Sequence, residues 1–212
     1  MLMRAGESAY ESVDFSNLRF VASVGEPLNP EGVIWGEEAF GLPIHDNWWQ
    51  TETGGILISS IPGIIDSKPT FATRPFIGVQ PVLMDSESNE IIDNDVVGRL
   101  CIKFPWPSIA RTIWGDHKRY VDTYFSTFNN MYFTGDGAYR DANGNFRITG
   151  RVDDVIIVSG HNLGTAPIED VINEHENVAE SAIVGFPHEI KGNALYGFVT
   201  LKDSTIMSDN TK

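Results

Sequence analysis

Leu18-Arg19-Phe20-Val21-Ala22-Ser23-Val24-Gly25-Glu26-Pro27 is an apolar run that stops at a turn, the pattern of a buried strand entering a loop. A helix is expected next. Asn29 suits its N-cap and Pro30 its first helical position, and Val33, Ile34, Trp35, Ala39 and Phe40 follow at helix-compatible spacing. Asp46-Asn47-Trp48-Trp49-Gln50-Thr51-Glu52-Thr53-Gly54-Gly55 then closes the unit, setting a double tryptophan against hydroxyls, a carboxylate and glycines. Strand, loop, helix, strand is α/β order, and such sheets bind ligands beyond the carboxyl ends of their strands. Gly25-Glu26-Pro27 and the tryptophan run are both expected there.

From about Pro81 the pattern changes to short strands with polar turns, and Asn143-Gly144 before Phe146-Arg147-Ile148 is a hairpin signal. An antiparallel β subdomain is expected, with Ser108 to Ser126 as an aromatic-rich excursion. Val155 to Val158 reads as a strand. A helix is expected to begin near Thr165, with Ile168, Val171 and Ile172 on one face. Ala182 to Phe186 and Leu195 to Leu201 complete a small α+β unit, and the polar tail from Ser204 to Lys212 is expected to fray.

The 212 residues, 42% of them hydrophobic, allow one sizeable core or two unequal domains. A formal net charge of −14 argues against broad contact with nucleic acid or an anionic membrane. An anionic small ligand would have to be held by local cations, glycine-loop amides or a metal. The one cysteine, Cys101, lies in a strand-like run and reads as a small core residue in a reducing compartment. No signal-peptide pattern and no membrane-length apolar run occurs, so the chain reads as cytoplasmic.

The chemistry-bearing residues fall into clusters. Thr51 and Thr53 offer hydroxyls to phosphate oxygens, and Glu52 is a hard oxygen ligand suited to the Mg²⁺ that accompanies a nucleotide triphosphate. A capped, solvated turn is the competing account of the same residues. With Thr51 facing phosphate, the indole of Trp49 can close an acyl pocket around a methyl or ethyl group and exclude longer chains. Trp48 suits core or pocket equally. Asp136, between glycines at the end of Tyr132-Phe133-Thr134, can accept both hydroxyls of a ribose; Arg151 can bond ribose or phosphate with a fixed fork. A turn aspartate and a surface ion pair are the alternatives. The tripeptide Gly25-Glu26-Pro27 taken alone is ordinary turn punctuation.

The tryptophan run, Ser126-Thr127-Phe128-Asn129-Asn130-Met131-Tyr132-Phe133, Gly135-Asp136-Gly137, Gly150-Arg151 and Gly185-Phe186-Pro187-His188-Glu189-Ile190-Lys191-Gly192 resemble the acetyl and propionyl branch of the AMP-forming acyl-CoA synthetases. These are adenylate-forming ligases, and the likeness runs from about Leu18 to Lys202. The resemblance implies that residues 1–80 end the α/β part of an AMP-binding domain, 81–152 form its β-barrel-like subdomain, and 153–212 begin a mobile α+β lid. It implies Gly25, Glu26, Pro27 and Asp46 beside adenine; Asn47, Trp48, Trp49, Gln50 and Thr51 along the nucleotide; and Asp136 and Arg151 on ribose. Thr51, Glu52 and Arg151 would be catalytic, Glu52 holding Mg²⁺. Asp153 would be the hinge, Ser159 and Gly160 the wall of the CoA tunnel, and His175 with the backbone of Asn173 and Val178 a structural cation site.

The implied substrates are acetate, ATP and CoA, with propionate as the competing acid. Two departures stand out. Asn162 occupies a position near the nucleotide phosphate where the family usually has arginine. The Ser/Thr/Gly-rich phosphate loop and the C-terminal lysine loop of such enzymes have no match in this sequence. The chain is therefore expected to be a fragment with little activity of its own, and a non-catalytic adenylate-binding module or a truncated inactive product are the alternatives.

Overall fold

The computed structural model describes residues 5–25, 28, 30–153, 156–158, 161–175, 177–188 and 192–202. Glu26, Pro27, Asn29, Ser159 and Gly160 lie outside the described residues. The chain is mixed α/β with several sheets, and it divides into two compact units, Met1–Ile148 and Thr149–Lys212.

In the first unit, strand β1 (Val21–Ser23) lies parallel to β2 (Ile44–Trp48), with helix α1 (Pro30–Phe40) between them in sequence. The register sets Val21 against Ile44 and Ser23 against Asp46. Pro30 does open α1, where its fixed φ and missing N–H cost nothing. Gly36 lets the helix lie on β2, since a Cβ there would stand 2.1 Å from Ile44 Cδ1. Gly41, at φ 67°, ends the helix, and its N–H donates to Glu37 O at 2.9 Å. Strand β3 (Ile58–Ser59) pairs antiparallel with β2.

A second sheet contains β4 (Pro81–Met84), β5 (Glu90–Ile91), β6 (Val96–Ile102), β7 (Tyr132–Arg140) and β8 (Phe146–Arg151), in the order β5-β4-β6-β7-β8, the last strand beginning in the first unit and ending in the second. The sheet is open; among the described residues no barrel closes. At the expected hairpin, Asp141 Oδ1 accepts the N–H groups of Asn143 and Asn145 at 2.9 and 2.8 Å, and Gly144 takes φ 80°. The aromatic excursion contains helix α2 (His117–Tyr124), whose N-cap Asp116 accepts the Arg119 N–H at 3.0 Å. Leu57, Ile58, Leu83, Leu100, Ile102, Trp106, Tyr132 and Phe146 form the core. Cys101 is fully buried, and burial pushes its thiol pKa up to about 12, so it packs as a small hydrophobe.

The second unit has an antiparallel sheet of β9 (Ile156–Val158), β10 (His161–Leu163), β11 (Val178–His188) and β12 (Gly192–Leu201), ordered β10-β9-β12-β11. Helix α3 (Thr165–Asn173) begins where the sequence places it. It is tied to β11 by Glu169, whose carboxylate accepts the Ile183 N–H at 2.8 Å. Ile168 and Ile172 are half-buried, whereas Val171 is 67% exposed. Strands β11 and β12 extend well beyond the apolar runs that announced them, because ten cross-strand pairs, Val178↔Leu201 to His188↔Gly192, carry the ladder through polar residues.

Candidate functional site

The 51–55 turn begins as β2 ends. Residues Thr51–Thr53 form one 3-10 turn, closed by Gly54 at φ 66°. Thr53 is fully buried: its Oγ1 accepts the Gln50 N–H at 2.9 Å and lies 2.8 Å from Gln50 O. Its hydroxyl therefore serves the turn, whereas Thr51 is exposed. Gly54 has no room for a side chain, because a Cβ would sit 2.2 Å from Ser108 O.

The 106–124 segment braces this turn. Trp106 Nε1 and Ser108 Oγ both donate to Thr53 O, at 2.9 and 2.7 Å. Ala110 N donates to Glu52 O at 2.8 Å, and Tyr120 Oη donates to Ala110 O. Tyr124 Oη donates to Glu52 Oε1, so the carboxylate is oriented by a phenol from the last turn of α2. None of these partners was legible in the sequence. The only signal was the density of aromatics between Ser108 and Ser126.

Asp136 is presented by a bulge. Arg99 pairs with Gly137 and Cys101 with Phe133, so Thr134, Gly135 and Asp136 of β7 stand opposite the single Leu100 of β6. Gly135 supplies φ 75°, Thr134 Oγ1 donates to Leu100 O at 2.9 Å, and the Asp136 N–H donates back to Thr134 Oγ1 at 3.0 Å. The Asp136 carboxylate is only 6% exposed, and its Oδ2 accepts from Trp48 Nε1 at 3.2 Å and Gln50 Nε2 at 3.0 Å. Gln50 also donates to Thr134 O at 2.7 Å and accepts the Tyr132 hydroxyl at 2.9 Å on Oε1. The Gln50 side chain is therefore directed into the protein, where it aligns Asp136. Trp48, undecided between core and pocket in the sequence, packs on the core and gives its indole N–H to the same carboxylate.

Asp46 is 8% exposed on β2, and burial pushes its carboxyl pKa up to about 6 despite N–H donors from Asn47 and Leu28. Asn47 is anchored through Nδ2 to Ser23 O at 2.7 Å, which joins the ends of β1 and β2. Trp49 points outward and is 42% exposed. Gly25 takes φ 107° after β1, a conformation other residues rarely adopt. Asp46, Asn47, Trp48, Gln50, Glu52 and Asp136 thus belong to one unit and are linked through β2 and the bulge.

In the second unit, Arg151 Nε donates to Asp153 Oδ1 at 3.0 Å. The Asp153 main chain and the Arg151 guanidinium hold that carboxyl below its ordinary value. Asn162 lies in β10 opposite Ile157. His175 accepts the Asn177 N–H on Nδ1 at 3.2 Å, and Val178 N donates to His175 O at 2.9 Å. Asn173 Oδ1 is buried without a hydrogen-bond partner. No three His, Cys, Asp or Glu side chains gather as a metal site among the described residues.

The parallel pair β1–β2 leads at its carboxyl end into the braced 51–55 turn, and the class is that of a mixed α/β protein with a candidate ligand site there. Residues 1–114 match the model of the AMP-binding enzyme family and residues 167–212 that of the AMP-binding enzyme C-terminal domain, and the chain belongs to this family. It is 55% identical to a protein named acetyl-coenzyme A synthetase from Shewanella sediminis (strain HAW-EB3), over 100% of this chain and 33% of that protein. The same name is carried by a relative from Shewanella sp. (strain ANA-3), 53% identical over the same shares. Another, from Shewanella baltica (strain OS155 / ATCC BAA-1091), is 55% identical over 96% of this chain and 32% of the relative. The chain spans about a third of the length of these relatives.

Proposed function

We propose that this chain is part of an AMP-forming acetate–CoA ligase and forms one wall of its adenylate site. The observation that carries this reading is the pairing of a bulge-presented, nearly buried Asp136 carboxylate with a braced Thr51-Glu52-Thr53 turn on the same unit. In the reaction, an acetate oxygen attacks the α-phosphorus of ATP and pyrophosphate leaves; the CoA sulfur then attacks the acyl carbon and AMP leaves. Negative charge grows on phosphate oxygens in the first step, so fixed donors aimed at them lower the barrier.

Each residue has a part. With Oδ2 held by Trp48 and Gln50, Asp136 is oriented before ligand arrives and accepts the ribose hydroxyls. Exposed Thr51 donates to phosphate. Asp46 accepts from the exocyclic amine of adenine beside the main-chain donors it already has, with Gly25, Glu26 and Pro27 along the ring. Trp49 limits the acyl pocket to acetate, with propionate as the nearest competitor. Arg151 contacts ribose, Asp153 is the hinge of a mobile lid formed by residues 153–212, and Ser159 and Gly160 line the path of CoA. The lid's structural cation would use His175 with the backbone of Asn173 and Val178. The open sheet of residues 81–152 is read as part of a barrel-like subdomain, and the site as cytoplasmic; no described helix is long and apolar enough to cross a membrane.

Mg²⁺ fits at Glu52, because a hard carboxylate completed by substrate phosphates is how that ion is ordinarily held. It would offset charge on the phosphates. The chain's own contribution there is to present the Glu52 oxygens at a fixed place beside Thr51.

Calorimetric titration of the purified chain with AMP and Mg²⁺ tests the reading. Saturable binding that Asp136→Ala weakens about tenfold or more is expected, since a charge-assisted pair with two hydroxyls is lost. A folded chain that binds no AMP would refute the site.

A further inference from the structure

We propose that Tyr124 is the positioning residue for the metal-side carboxylate, its phenol setting the direction in which Glu52 presents its oxygens to a nucleotide-bound divalent cation. This rests on the role of Glu52 in the reading above. Glu52 and Tyr124 are 72 residues apart, and the bond from Tyr124 Oη to Glu52 Oε1 joins the turn after β2 to the end of α2. A glutamate has three rotatable bonds, so an exposed one samples many directions and gives up that freedom on binding a cation. A phenol hydroxyl on one oxygen removes much of that cost beforehand, and it leaves the other oxygen to face a cation.

The tyrosine is itself well held. Its ring stacks on Tyr132, with centroids 5.1 Å apart and planes at 11°, and packs near Tyr120 at 5.6 Å. Tyr132 in turn donates to Gln50 Oε1, and Gln50 Nε2 holds Asp136. One rigid aromatic pair therefore stands behind both carboxylates: Tyr124 orients Glu52, and Tyr132 orients Asp136 through Gln50. The metal end and the ribose end of the site are set by the same stack. The main chain of the turn does not depend on this phenol, because Trp106, Ser108 and Ala110 hold Thr53 O and Glu52 O independently. Removing the Tyr124 hydroxyl should consequently free the carboxylate and leave the turn in place.

The test uses the 212-residue chain with ATP and Mn²⁺, a paramagnetic substitute for Mg²⁺ whose binding is read by electron paramagnetic resonance. Tyr124→Phe keeps the ring and its stack, so the fold should survive, as checked by near-UV circular dichroism. The expected result is Mn²⁺ affinity in the presence of ATP weakened about five- to tenfold, with metal-free AMP affinity changed by less than about twofold. In a Glu52→Gln background, where the phenol has no carboxylate to orient, Tyr124→Phe should add nothing. Equal Mn²⁺ affinity in the parent and Tyr124→Phe would overturn the positioning role while leaving the adenylate reading standing. Equal losses of Mn²⁺ and AMP affinity would overturn it too, by showing a purely structural effect. A parent chain that binds AMP but no Mn²⁺ with ATP would overturn the role of Glu52, and the role of Tyr124 with it.

Discussion

Asp46→Asn should stabilise the first unit at neutral and alkaline pH, and the amount follows from the burial of the carboxyl. In the folded chain it is 8% exposed, and its pKa lies at about 6 against an ordinary 3.8. At 1.36 kcal/mol per pH unit, holding this group ionised in the fold costs about 3 kcal/mol once the pH is above both values. The sign follows from proton counting. Between about pH 4 and 6 the folded chain holds a proton that the unfolded chain has released, so stability falls as pH rises through that window and is level above it. Asparagine removes the charge and keeps the shape, but its new N–H₂ needs an acceptor in the same buried place, which leaves an expected net gain of about 1–2 kcal/mol at pH 8. At pH 4 the parent carboxyl is largely protonated and the gain should vanish. Urea unfolding followed by tryptophan fluorescence measures this directly, because all five tryptophans lie in the unit that contains Asp46. A stability difference between parent and Asp46→Asn that is the same at pH 4 and pH 8 would refute the reasoning, as would a carboxyl titrating near 4 by NMR.

Gly54→Ala should lower the stability of the first unit by about 2 kcal/mol or more, since it combines a left-handed φ of 66° with a Cβ 2.2 Å from Ser108 O. The same urea assay reads it, and an unchanged midpoint would show that the turn can shift away from the 106–124 brace at little cost. Asp141 should support the fold across neutral pH. Burial alone would raise its pKa, but the Lys68 ammonium at 2.6 Å and the Asn145 side-chain and main-chain donors outweigh that and hold it far below the ordinary carboxylate value. Its contribution is present above about pH 4 and is lost as pH falls toward the depressed folded value. Asp141→Asn should therefore melt lower than the parent at pH 7, with the gap closing in strong acid. A gap that widens on acidification would contradict the assignment.

Much of the framework was legible locally. Pro30 announced the start of α1, Asn143-Gly144 a hairpin, and Thr165 the start of α3, because each depends on φ preference and hydrogen bonding within a few residues. The spacing of Ile168, Val171 and Ile172 put them on one helix face without stating how much of that face the sheet covers, and Val171 is left 67% exposed. The open five-stranded sheet and the length of β11 and β12 depended on partners far along the chain.

The chemical residue types at the site were set by the sequence alone: a carboxylate between two glycines, a glutamate between two threonines, two adjacent indoles. Their division of labour was decided by tertiary structure. Thr51 and Thr53 look alike in the sequence, yet one is exposed and the other fully buried with its hydroxyl serving the turn. Gln50 turns inward because Tyr132, Thr134 and Asp136, more than 80 residues away, surround its amide. A hydrogen-bond donor in a sequence has no direction; it acquires one when long-range packing removes water from one side of it and supplies fixed acceptors on the other.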